Sequence, residues 1–227
     1  MAKWIDSSVS IIDDIDAATI LKKLEIALRN CYKSENLIAD GSAEKLIKSA
    51  IARGHESPLE HCSITYRVVC DRGVSHEWVR HRLASYSQES TRYCNYTKDK
   101  FNKELTFIYP HWYYDIDFNK EDITFEERQV IETFEELDAM CDKLDEEYYY
   151  LIEILEATPD VARAILPNCL KTEIVCTMNI RELRNFFKLR LSPHAHGDIR
   201  KLAKELLEEL KDAGLGILFE DIEGAND

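Results

Sequence analysis

From Val130 to Leu155 apolar residues recur in alternating steps of four and three: Val130, Phe134, Leu137, Cys141, Leu144, Tyr148, Leu151 and Leu155. That spacing keeps one stripe on one face of an α-helix. Thr124 with Glu127 three residues on forms a capping box that opens it. The result is a helix well beyond the ~11 residues of an ordinary globular one. A seam of this length requires a long partner surface. It predicts packing along a second long helix, in the same or a neighbouring subunit, or a helix laid across its own sheet.

The rest of the chain supplies shorter elements. Helical spacing covers residues 17–33 and 43–53, the second with Ser42 as N-cap and Gly54 as C-terminal stop. Cys62, Ile64, Tyr66, Val68 and Cys70 alternate as a strand, and so do Leu170, Thr172, Ile174, Cys176 and Met178. Gly73 and Ser75 start a short helix that runs into a polar loop. Thr158-Pro159 opens another, carrying Arg163 and ending before Pro167. Asn179 with Glu182 caps a helix containing Arg181, Asn185 and Arg190, and a last helix over about 199–213 ends at Gly214. Residues 99–122 are irregular and aromatic, suited to a mobile flap or an interface. Without repeats or a composition break, one domain over 1–227 follows. Its class is α+β, a mostly antiparallel sheet flanked by long helices, in an oligomer.

Composition narrows the function. The formal charge of -14 argues against a nucleic-acid binder, which needs a basic surface. No apolar run spans a bilayer, so no membrane role is expected. Seven cysteines without a CxxC pair suit a reducing cytoplasm better than a disulfide framework. With seven glycines and neither GxGxxG nor a Walker loop, any nucleotide must be held by side chains and helix ends. Against this acidic background Arg72, Arg80, Arg82 and Arg92 cluster in or near Arg80–Tyr93, RHRLASYSQESTRY, among hydroxyl side chains. Such a local reversal of sign points to an anionic ligand, for which guanidinium forks are suited.

Arg80-His81-Arg82, then Ser90 and Arg92-Tyr93, resemble the signature of the flavin-dependent thymidylate synthases. GHESPLEH (Gly54–His61) resembles a second block of that family, with Ser57 where the family has Thr. VARAILP (Val161–Pro167), NIRELRNFFKLR (Asn179–Arg190) and Ser192-x-His194-Ala195 resemble a third. The blocks stand in the family's order from Gly54 to Ala195.

The resemblance implies a tetrameric enzyme converting dUMP to dTMP with methylenetetrahydrofolate as carbon donor, FAD as redox carrier and NADPH as reductant. It further implies that His55, Ser57, Arg80, His81, Arg82, Gln88, Asn179, Arg181 and Asn185 hold FAD. The nucleotide falls to Glu77, Arg80, Gln88, Glu89, Ser90, Thr91, Arg92, Arg163 and Arg190, with Glu77 where the family often has glutamine. Arg190 is the implied catalytic residue, over the uracil ring. No metal is expected: the spacing of His55 and His61 matches no common site, and His194-Ala195-His196 alone is weak. Two other classes stay open, a regulatory nucleotide binder without chemistry and a metal-dependent nucleotide hydrolase. Cys62, Cys70, Cys141 and Cys176 occupy apolar positions and should be buried, which leaves Cys94 as the thiol nearest the arginine motif.

Overall fold

Residues 2–115, 122–222 and 224 are described in the structure, a computed structural model. Two short strands, β1 (Lys3–Ile5) and β2 (Ser8–Ile11), precede the helices α1 (Ala17–Asn30) and α2 (Ser42–Ala52). Strand β3 (Ser63–Asp71) runs directly into α3 (Arg72–Trp78), and β4 (Ala84–Gln88), β5 (Thr106–Ile108) and α4 (Phe125–Tyr149) follow. A single turn, α5 (Pro159–Ala162), leads to β6 (Lys171–Asn179), which passes without a loop into α6 (Ile180–Arg190), and α7 (Gly197–Leu210) comes last.

Strands β2, β3, β6 and β4 form a sheet in that order. The Cys62 carbonyl accepts from the Ile180 N–H at 2.9 Å, and the Leu170 carbonyl from that of Arg72 at 3.1 Å. Between them the Thr65 and Thr177 hydroxyl oxygens lie 3.1 Å apart. Partner numbers fall as those of β3 rise, so β3 and β6 run antiparallel. The α+β class with an antiparallel sheet and long helices therefore holds. Alternation in both strands has its expected cause: Ile64, Tyr66, Val68 and Cys70, like Ile174, Cys176 and Met178, are buried.

Contacts divide the chain into two compact units. The first comprises the N-terminal stretch to Ser8, Val69–Glu77 and Gln88–Ile174; the second comprises Val9–Val68, Trp78–Ser87 and Val175–Asp227. In the first unit β1 pairs in parallel with β5. Its core gathers Tyr96, Leu105, Phe107, Cys141, Tyr148 and Leu170. In the second, Trp78 packs on Tyr66 and Phe186, and Phe187 meets Phe219 edge-on at 5.1 Å.

Several expectations need correcting. The N-cap of α2 is Gly41, at φ 70, and Ser42 is its first residue; the Ser42 hydroxyl instead bonds the Glu25 carboxylate and the Ala39 N–H. Part of the arginine motif is the strand β4 rather than a loop, because Ala84 and Tyr86 alternate with exposed Ser85 and Ser87. Polar content hid that alternation. The aromatic segment, as far as it is described, is packed on neighbouring rings: Tyr109 lies 5.7 Å from Trp4, and Tyr113 lies 4.4 Å from Phe134. Residues 116–121 of that segment lie outside the described residues. Strands β1, β2 and β5 escaped notice because each is four residues or shorter.

The long helix opens as expected, with both halves of the Thr124–Glu127 capping box formed, and continues past Tyr149 through a wider turn over Tyr150–Ile154. Along the seam Cys141 and Tyr148 are buried, while Leu155 remains exposed. Thr124→Ala removes the N-cap and should lower unfolding stability by about 1 kcal/mol, read as a lower urea midpoint at unchanged slope.

Candidate active site

The end of β6 sets the geometry of the second unit's polar site. Asn179 closes the strand and caps α6, its side chain accepting from the Glu182 N–H at 2.8 Å. The Glu182 carboxylate turns inward and meets His81 Nδ1 at 3.3 Å. On the other side of that ring the Arg190 Nε–H donates to His81 Nε2 at 3.1 Å. A guanidinium is only a donor, so Nε2 must be the accepting nitrogen and the proton sits on Nδ1, directed at Glu182. The chain Glu182–His81–Arg190 thus fixes a neutral tautomer.

His81 and Glu182 are 4% and 5% exposed. Burial, and then the Arg190 charge, lower the His81 pKa below its ordinary 6.5, and the Glu182 carboxylate opposes them only in part. The turn carrying His81 is pinned by the Tyr86 hydroxyl, 2.6 Å from the His81 carbonyl and 3.0 Å from that of Trp78. Asn185 donates to Glu182 at 3.3 Å.

The same helix binds the GHESPLEH block. Arg181 pairs with Glu60, and Arg184 donates to Glu56 at 3.2 Å. Arg184 is 1% exposed. Burial works against its charge, but Asp221 and Glu56 outweigh it and hold the guanidinium above its ordinary range. His55, exposed, lies beside the Tyr32 hydroxyl at 3.3 Å. Ser57 lines a groove of about 570 Å³ with Lys23, Asn30 and His61. Arg80 and Arg82 are exposed. Within this unit, then, His81 and Arg190 meet directly, Asn179 and Asn185 join them through Glu182, and Arg181 ties the turn that carries Ser57 to the same helix through Glu60.

The first unit holds the remaining residues. Gln88 donates to Ser75 Oγ at 3.1 Å and Thr172 Oγ1 at 3.2 Å. Glu89 accepts from the Tyr96 hydroxyl at 2.8 Å and from Lys171 at 2.9 Å. The Ser90 hydroxyl accepts from the Arg92 N–H at 3.3 Å, and Thr91 is buried. The Arg92 guanidinium lies 5.2 Å from the Tyr93 ring centre. Arg163, exposed on the turn after α5, is brought near Arg92: both help to hold the Asp160 carboxyl below its ordinary range, after the dominant Thr158 hydrogen bond. Glu77 sits on α3, half-buried.

Sequence reasoning missed Glu182, Tyr86, Arg184 and Lys171. Glu182 carried a signal, three residues after Asn179, but it suggested a cap; only the tertiary fold turns its carboxylate toward a histidine 101 residues away.

The pH dependence follows from His81. Its folded pKa is depressed, so folding favours the neutral ring; this contribution is present above the unfolded value of 6.5 and is lost as pH falls below it. Thermal midpoints should drop on acidification from pH 7, and His81→Gln should flatten that slope. Glu182→Gln should push the His81 ring titration, followed by NMR, lower still.

The family described as thymidylate synthase complementing protein matches residues 15–213. A flavin-dependent thymidylate synthase from Pyrococcus furiosus is 37% identical over 175 residues, covering 76% of this chain and 64% of the relative. The chain therefore spans somewhat less than two thirds of that relative's length. One from Geobacter sulfurreducens is 36% identical over 210 residues, covering 85% of this chain and 82% of the relative. Among solved structures, the Helicobacter pylori flavin-dependent thymidylate synthase ThyX complexed with FAD and dUMP superposes with a TM-score of 0.70. It shares 25% identity over 95% of this chain and 99% of that one.

Proposed function

The chain belongs to the thymidylate synthase complementing family, and from that premise we propose that it reductively methylates dUMP to dTMP. Methylenetetrahydrofolate is the carbon donor and NADPH the reductant. The observation that carries the reading is the Glu182–His81–Arg190 chain, which gives one guanidinium a fixed direction.

The donor set fits FAD. Exposed guanidiniums at Arg80, Arg82 and Arg181, with the Asn185 amide, offer the N–H groups that a pyrophosphate and heterocycle edges accept. Ser57 lines a groove of about 570 Å³. In this reading His55, Ser57, Arg80, Arg82, Gln88, Asn179, Arg181 and Asn185 hold the cofactor, and His81 holds Arg190. Bound flavin supplies the reducing equivalents for the new methyl group.

Arg190 acts on the pyrimidine. Uracil C5 is a poor nucleophile in the neutral ring, and a guanidinium at the N3/O edge stabilises negative charge there and moves electron density toward C5. Arg92 and Arg163 take the phosphate, assisted by Ser90 and the Thr91 segment, in competition with Asp160. Glu89 stays with Lys171 and so frames the nucleotide through its neighbours, while Gln88, tied to Ser75 and Thr172, and Glu77 flank it. The reading treats residues 1–227 as one cytoplasmic synthase domain that assembles as a homotetramer. The exposed Phe125 and Met140 on α4 support a partner surface.

Arg190→Ala should retain the flavin absorbance band while losing dUMP turnover by on the order of 10²–10³, measured as tritium release from labelled substrate. Wild-type turnover in that variant would move the role elsewhere. No cysteine nucleophile is required. Burial raises the thiols of Cys62 and Cys70 and pushes Cys176 up to about 11, which makes them poor nucleophiles. Cys94→Ala should accordingly keep most of the activity; a folded, flavin-loaded but inactive variant would restore covalent catalysis.

A further inference from the structure

Two cysteines outside these roles face each other in the first unit. The sulfurs of Cys141, midway along α4, and Cys169, two residues before β6, are 3.7 Å apart. Cys141 is 1% exposed, whereas Cys169 is half-buried. The pair differs in acidity as well as access. The hydrogen bond from Cys141 lowers the Cys169 thiol against the effect of burial. That bond and burial raise Cys141. The thiolate is therefore favoured on the less buried residue of the pair, with a second thiol 3.7 Å behind it. The backbone around Cys169 is firmly held: its carbonyl accepts from the Ile108 N–H at 3.0 Å, and the Asn168 carbonyl from that of Arg72 at 2.9 Å.

We propose that Cys141 and Cys169 form a reversible two-thiol oxidation site that takes a small peroxide and closes to an intramolecular disulfide. The Cys169 thiolate attacks one peroxide oxygen, the O–O bond breaks, and the departing hydroxide takes a proton and leaves as water. Cys169 is then a sulfenic acid. The Cys141 sulfur gives up its proton and attacks the Cys169 sulfur; the S–O bond breaks, the S–S bond forms, and a second water leaves. The two thiols together lose two electrons and one peroxide takes them up. The sulfurs need only close from 3.7 Å to about 2 Å. The product ties α4 to the strand entry that carries Lys171.

The test uses the full-length reduced protein, treated with near-stoichiometric hydrogen peroxide, denatured, alkylated with a maleimide and mapped by mass spectrometry. Of the seven thiols, two should vanish together as one linked Cys141–Cys169 peptide, and dithiothreitol should restore both. In Cys141→Ser, Cys169 should accumulate as a sulfenic acid trapped by dimedone. In Cys169→Ser, Cys141 should stay a thiol. Melting curves of both variants confirm folding, and Cys169→Ser, at the more exposed position, keeps the test open if the other variant misfolds. Seven thiols after treatment, or losses at Cys31 or Cys94 with Cys141 and Cys169 still alkylated, would overturn the proposal, as would a link between two molecules.

Discussion

A carboxylate that is 5% exposed has to be compensated where it lies, and Glu182 is compensated by a neutral imidazole N–H and an amide rather than by a cation. Much of the second unit's site follows from that choice. Glu182 determines which His81 nitrogen carries the proton, His81 determines where the Arg190 Nε–H points, and the Tyr86 hydroxyl keeps the intervening turn in register. Removing any member leaves a buried polar group without its partner, at a cost of roughly 1–3 kcal/mol. A fixed arginine is thus coupled to fold stability through two side chains that touch no ligand in the proposed reaction.

Helix α6 is the frame for this arrangement because it carries two buried charges of opposite sign two residues apart, Glu182 and Arg184. Arg184 reaches Glu56, Asp221 and the Leu218 carbonyl, so the GHESPLEH turn and the C-terminal segment are held by one guanidinium. The guanidinium is buried while Glu56 and Asp221 are 21% and 50% exposed, so losing either carboxylate leaves a buried charge less well compensated and destabilises the fold. The apolar side of the helix packs Phe186 and Phe187 into the core. Its polar side is therefore positioned by burial on the opposite face as well as by its contacts to Glu56 and Glu60, and a site built on such a helix is more rigid than one on a loop.

The large elements could be read from the chain because their causes are local. Capping at Thr124 and Asn179, the stop at Gly54, and period-two alternation in β3 and β6 all depend on near neighbours. Candidate residues were legible where a motif concentrated them, as in Arg80–Arg92. Glu182 and Lys171 were not, since their roles arise from partners 101 and 82 residues away. Strand β5 has three residues and exists through pairing with β1, for which no local periodicity can form. The pairing of Cys141 with Cys169 has the same origin: one cysteine reads as a helix core position and the other as a loop residue, and only tertiary structure joins them.

Arginines in this acidic chain divide into two classes by their surroundings. Arg29, Arg181 and Arg184 each meet a carboxylate, as expected where carboxylates outnumber cations, 43 to 29. Arg80 and Arg82 are exposed and, among the described residues, have no ion pair. In a protein of charge -14 an exposed guanidinium has many carboxylates to choose from, and an exposed pair is worth only up to about 1 kcal/mol. Two arginines flanking a buried histidine, both left outside such pairs, keep their donor forks directed at solvent. The short turn between Trp78 and β4 enforces this, because Tyr86 pins its backbone and His81 takes the inward direction. An anion arriving there meets donors that need not first abandon a carboxylate, so its binding should weaken steeply with salt, since exposed charges are screened over about 10 Å at 0.1 M ionic strength.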